Sequence, residues 1–226
     1  MKLFPIVFLV LYVAEKRFTD LLKVLMVIIV ATAIPLVLFR ESYFNSLPVY
    51  YENLKLSQKM YAELMIVSGA GNHFGHSILN GIRVFFGGIV EFKKIATPYF
   101  IFGVLSYLFI AWFIIFKEKS LWKQVALIVI SMCALPFTST DYKLLHFFIP
   151  IFLFINTPEK IEKYIGILYS LMFILIIMPK GFQYFHGGLY ATSNVFLTPL
   201  FMIILLIIIL FDGVKYSRML KTNSSV

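Results

Sequence analysis

The stretch QVALIVISMCALPFTSTDYKLLHFFIPIFLFI, residues 124–155, decides how this chain is read. Two runs fit for lipid, 124–137 and 149–155, enclose Asp141, Lys143 and His146. Ionisable groups are costly inside a bilayer. Where they occur they face a bundle interior or a wet cavity, and they mark a path for substrate or ion. Two readings of this stretch stay open. In one, Thr140 or Asp141 caps a helix starting near Tyr142, Lys143 snorkels to the headgroups, and His146 lies on the same face three residues on. In the other, two neighbouring cations gather an anion.

Composition sets the surroundings. Of 226 residues, 61% are hydrophobic and 14% charged, and the mean hydropathy is +0.91. Soluble domains carry about 45–50% apolar and about 25% charged residues, so the chain reads as a membrane protein. The net charge of +9 does not point to nucleic acid, because no soluble basic domain carries it. Basic loops on one side of a membrane account for it. The single cysteine, Cys133, lies in an apolar run. It can form no intrachain disulfide and reads as a packing residue.

A bilayer core about 30 Å thick needs about 20 apolar residues of helix. Segments near that length fall at 21–39, 99–116, 121–137, 142–156, 163–179 and 195–211. The fourth reaches span length only if Asp141 to His146 lie at membrane depth or in a cavity. KLFPIVFLVLYVA, residues 2–14, offers about 12 apolar residues, roughly 18 Å, and reads as the tail of a spanning helix that begins elsewhere. The expected fold is therefore all-α. It is a polytopic transmembrane helical bundle of about six full spans plus one truncated N-terminal helix, with 1–226 as a single integral-membrane domain.

Lys and Arg cluster at 15–23, 117–123, 157–164 and 215–221, which alternate along the chain and take the inner side of a plasma (bacterial inner) membrane. The outer side then receives 40–98, 138–142 and 180–194. His73, His76 and His186 fall there, and His146 lies about one turn inside. In the long loop 40–98, the segment GNHFGHSILNGIRVFFGG at 71–88 puts His73, His76, Asn80 and Arg83 on one helical stripe. Phe74, Ile78, Ile82, Phe85 and Ile89 take the opposite stripe. This predicts an interfacial helix near 73–86, capped by Asn72 and ended by Gly87–Gly88, apolar side down. Its polar stripe either faces water or presents two imidazoles, an amide and a guanidinium to a ligand. Arg suits a bidentate grip on phosphate. His73 and His76 could share a metal, but no nearby carboxylate or cysteine completes a set, and no metal or cofactor is expected. KGFQYFHGGLYATSN, 180–194, with Tyr184, Phe185, His186 and Tyr190, suits an aromatic belt or stacking on a sugar ring.

These pieces resemble a known family. KLFP, the EKRF turn at 15–18, YYENLKLSQKMY…GNHFGHSILNGIR and FTSTDYKLLHFFIPIFLFI are similar to the integral-membrane glycosyltransferases of family 87. The likeness covers nearly all the residues but only roughly the C-terminal half of such an enzyme. It implies a GT-C fold and transfer of a sugar, often mannose, from a polyprenyl-phosphate carrier to an acceptor at the outer face. It also implies that His73, His76 and Arg83 line an outer cavity, and that Asp141, Lys143 and His146 contact the lipid phosphate or the sugar. The family's usual catalytic acid sits in a first outer loop with no counterpart before KLFP, so the expectation is a truncated form or one piece of a split one, in the latter case with a separate polypeptide supplying the N-terminal half as a partner beside membrane lipid. Asp141 is the candidate base within the chain, with Glu41, Glu52, Glu63 and Glu91 as weaker options. A proton-coupled carrier and a non-catalytic assembly subunit are the rival readings. A carrier would show polar groups through the depth of several helices, whereas 99–116 and 195–211 are nearly pure hydrocarbon.

Overall fold

The computed structural model describes residues 4–37, 43–62, 71–86, 92–159, 161–186 and 189–223. Among these the chain forms ten α-helices and one antiparallel hairpin. A 3-10 turn, Phe4–Phe8, runs into α1, Leu9–Ala14, and the chain turns back into α2, Phe18–Val37. The turn is closed by Arg17 N–H to Tyr12 O at 2.8 Å and Lys16 N–H to Val13 O at 3.1 Å, with Lys16 at φ 58°. This is a Schellman ending in which a lysine takes the left-handed place that glycine usually fills.

The long loop is largely helical. It holds α3, Tyr43–Ala62, then α4, Gly71–Phe74, and α5, Ile78–Phe85. α6 is Phe92–Phe116 and α7 is Leu121–Ala134. A 3-10 helix, Asp141–Phe147, leads directly into α8, Phe148–Ile155. α9 is Lys163–Ile177, the hairpin pairs β1, Gln183–His186, with β2, Leu189–Thr192, and α10 is Asn194–Asn223.

α7 is the hub. Trp122 and every residue from Gln124 to Ala134 are buried, so the helix is apolar nearly all round because it is covered all round. Ile110 and Phe113 of α6, Phe173 and Ile176 of α9, and Met202 and Leu205 of α10 share its core. At its start Trp122 meets Tyr169 edge to face at 4.8 Å and Phe154 at 4.9 Å. The outer helices show the reverse pattern. α2 turns Met26, Val27, Ile29 and Val30 outward, and α6 turns Phe100, Ile101, Leu105 and Leu108 outward. A soluble surface rarely exposes so much contiguous apolar area, and a lipid-facing one requires it.

Two helices are long and apolar enough to cross a bilayer, Lys94–Phe116 and Asn194–Val214. Of the six full spans expected, the described residues show these two at crossing length. Leu121–Ala134, Tyr142–Ile155 and Lys163–Ile177 are apolar but shorter. At 14 residues α7 extends only about 21 Å, which is short for a bilayer crossing.

Candidate functional site

The predicted continuous helix 73–86 is interrupted. α4 ends at Phe74, Gly75 pairs with Thr140 in an isolated antiparallel bridge, and α5 restarts at Ile78. The cap is Ser77 rather than Asn72: its hydroxyl accepts from Asn80 N–H at 3.2 Å and donates to Phe137 O at 3.1 Å. His76 N–H donates to Ser139 O at 2.9 Å. The helix breaks because this backbone is recruited by another segment. Gly75 allows it: a Cβ there would lie 2.0 Å from Asn80 Nδ2 and 2.4 Å from Gly71 O. Gly87–Gly88 and Ile89, the expected end of the helix, lie outside the described residues.

The polar stripe turns inward. His76 and Asn80 are fully buried and Arg83 is 8% exposed, while Phe74, Ile82 and Phe85 point out. The reading in which this stripe floats in water is therefore overturned. α5 packs closely on α10, where Gly81 would bring a Cβ within 3.3 Å of Val195 O. Burial lowers the Arg83 pKa from its ordinary value. Arg83 Nε and one terminal nitrogen, both Asn80 amide atoms and Asn72 Oδ1 are buried with no hydrogen-bond partner.

The corner 137–147 faces this stripe through the Gly75 and His76 contacts. Thr140 stands at the N-cap position of the 3-10 helix, but its hydroxyl makes no cap bond, and both it and Ser139 Oγ are buried without a partner. Lys143 does not snorkel outward. It is 7% exposed and its amine donates to Thr138 O at 3.2 Å. His146 Nδ1 lies 2.9 Å from Lys143 O. A carbonyl can only accept, so Nδ1 carries the proton. Asp141 opens the 3-10 helix; its side chain lies outside the described residues.

The segment 180–194 holds the β1–β2 hairpin, with His186 opposite Leu189. The His186 side chain lies outside the described residues. The hairpin joins the same end of the molecule: Thr192 Oγ1 donates to His73 O at 2.8 Å, and the His73 ring lies 5.9 Å from that of Tyr190. The segment bearing His73 and His76 is thus tied both to the hairpin and to Ser139 and Thr140, which lead into the 3-10 helix bearing Lys143 and His146. Glu52 is exposed on α3, and Glu41, Glu63 and Glu91 lie outside the described residues.

Sequence reasoning missed Lys180. It is 7% exposed, and its amine donates to Met178 O at 2.9 Å and to Thr198 Oγ1 at 3.2 Å. Burial lowers its pKa. No local pattern marks it, since the bond to Thr198 spans 18 residues. A second polar cluster was also missed, at the other end of α10. There Lys123 meets Asp212 at 2.6 Å, Tyr169 OH donates to Asp212 at 3.0 Å, and Ser120 Oγ donates to Glu159 at 2.7 Å. Glu118 is buried beside them and accepts from Lys119 N–H and Ser120 N–H, both at 2.9 Å. Among the described residues, no group of three or more metal-type ligands forms at either end.

A family model described as glycosyltransferase family 87 matches residues 1–140. No curated protein and no solved structure gives a significant match to the chain.

Proposed function

Because the chain belongs to glycosyltransferase family 87, we propose that it handles a polyprenyl-phosphate sugar, mannose or a similar hexose. In this reading the sugar passes to an acceptor hydroxyl at the outer face of a bacterial inner membrane. The fold is GT-C-like, and the end of the bundle built by α4, α5, the 137–147 corner and the hairpin is the outer one. The observation that carries the reading is the burial of the Arg83 guanidinium in α5, at the end of the bundle where Gly75 and His76 bond to the segment that leads into Lys143 and His146. Among the described residues Arg83 forms no ion pair, so a phosphate would supply the missing charge.

The chemistry asks little else of the protein. The acceptor oxygen bonds to the anomeric carbon, the bond from that carbon to the phosphate oxygen breaks, and the phosphate leaves with the electron pair. Arg83 and Lys143 stabilise the charge growing on that leaving group. The acceptor's proton passes to a base. Asp141 is the acid nearest in sequence to these cations, with His73, His76, His146 and His186 around the acceptor. The concentration of polar groups at two ends, with hydrocarbon between them in α6 and α10, supports surface chemistry on a lipid over a through-path.

The test is transfer by the full chain in lipid from radiolabelled polyprenyl-phosphate hexoses. Arg83→Ala or Lys143→Ala should weaken donor use by about 1–3 kcal/mol, the usual cost of a lost charged hydrogen bond. Transfer from nucleotide sugars alone, or unchanged kinetics in both variants, would overturn the reading.

A further inference from the structure

Around Gly75 lies a group of polar side chains that the phosphate chemistry does not use. Asn80 lays its amide against the Gly75 backbone. Thr140 pairs with Gly75, and Ser139 is bonded to the next residue. Asn72 stands one turn before, in α4. Asn72 is 3% exposed, Asn80 0% and Ser139 1%. Asn72 Oδ1, both amide atoms of Asn80, Ser139 Oγ and Thr140 Oγ1 are all buried with no partner. Native proteins leave few such groups, because each forfeits its bonds to water and gains nothing in return. Five such atoms, on the two segments that the Gly75 bridge holds together, call for a ligand that fills them.

The atom types select the ligand. Two amide oxygens only accept, one amide nitrogen only donates, and two hydroxyls do both. A phosphate brings acceptors and cannot satisfy the amide oxygens. A polyhydroxylated ring both donates and accepts at every position. We propose that Asn72, Asn80, Ser139 and Thr140 form a subsite for the hydroxyls of the transferred sugar, entered by parting of the seam between α4–α5 and the corner. This rests on the glycosyltransferase reading and divides the labour within it: Arg83 holds the phosphate, and the Gly75 seam reads the ring.

The test uses the full chain in nanodiscs with two probes, methyl hexopyranosides and sugar-free polyprenyl phosphate. Thr140→Val and Ser139→Ala conserve shape and remove hydroxyls that have no partner. Each should keep or raise the thermal midpoint of the ligand-free protein. Each should also lower affinity for methyl hexoside about tenfold, the scale of one lost hydrogen bond, and leave polyprenyl-phosphate binding within about twofold. Asn80→Leu should abolish hexoside binding. Failure of the wild type to bind any methyl hexoside while it binds polyprenyl phosphate would overturn the subsite and leave the family reading standing. Unchanged hexoside affinity in the variants, or a drop in their ligand-free thermal midpoint, would show that waters or protein groups fill the seam, and would also overturn it. Hexoside binding without any affinity for polyprenyl phosphate would support the subsite and strike the donor reading instead.

Discussion

Gly75 has no room for a side chain, and this single position carries the geometry of the corner. Its missing Cβ leaves space for the Asn80 amide and for Gly71 O, and its backbone pairs with Thr140. Gly75→Ala puts a methyl within 2.4 Å of a backbone oxygen, which no rotamer change relieves. The expected outcome is a loss of about 1–3 kcal/mol or more from overpacking, read as a lower thermal midpoint together with lost donor binding. Glu118 at the other end gives a pH prediction. Burial raises its carboxyl above the ordinary value of 4.5, opposed by backbone N–H bonds and by Lys123. The folded state therefore holds the Glu118 proton more tightly than the unfolded chain. Its contribution to stability is complete below the unfolded carboxylate value and is lost as pH rises through the folded one. Glu118→Gln keeps an acceptor for the two backbone N–H groups and never ionises. It should be more stable than the parent at neutral pH, with the gap closing as pH falls through the carboxylate range. Parallel midpoint-against-pH curves for the two proteins would contradict this.

At the scale of elements, α5 shows what periodicity can and cannot reveal. The 100° spacing set His73, His76, Asn80 and Arg83 on one stripe, and the structure buries His76, Asn80 and Arg83 of it. It missed the break at Gly75–Ser77, because a lone glycine inside a helical pattern does not announce that another segment will recruit its backbone. Ser77 joins both events, capping α5 through Asn80 N–H and tying it to Phe137 O. Ser77→Ala should cost about 1–2 kcal/mol, the upper range for a lost cap, since the second bond goes with it. Hydrogen exchange at the first turn of α5 should rise while that of α7 is unchanged. Lys180 was illegible for the same reason as the break: its partner Thr198 lies on the next helix. The lengths of the shorter apolar helices are not legible in the sequence, because apolar residues in a covered hub and apolar residues in lipid look alike there. α7 is the former, buried on every side at 14 residues.

At the scale of the molecule, polar chemistry sits at two ends joined by α10, whose apolar part Asn194–Val214 covers about 30 Å at 1.5 Å per residue. One end gathers α4, α5, the corner and the hairpin. The other gathers Glu118, Ser120, Lys123, Glu159 and Asp212 from three parts of the chain. The separation matches a bilayer core, and the basic loops of the second end favour the inner side. This makes a sided prediction. After Cys133→Ala, single cysteines are introduced as His73→Cys, half-buried at the first end, and Lys119→Cys, exposed at the second. In sealed cells an impermeant thiol reagent should label the first and spare the second, and inside-out vesicles should reverse the pattern. The Lys123–Asp212 pair supplies the control, since Asp212→Asn loosens the inner end without moving either cysteine across the membrane. Its labelling should follow the parent. Labelling of Lys119→Cys from outside, with His73→Cys protected, would put the Arg83 face in the cytoplasm, where an outer acceptor could not reach the sugar.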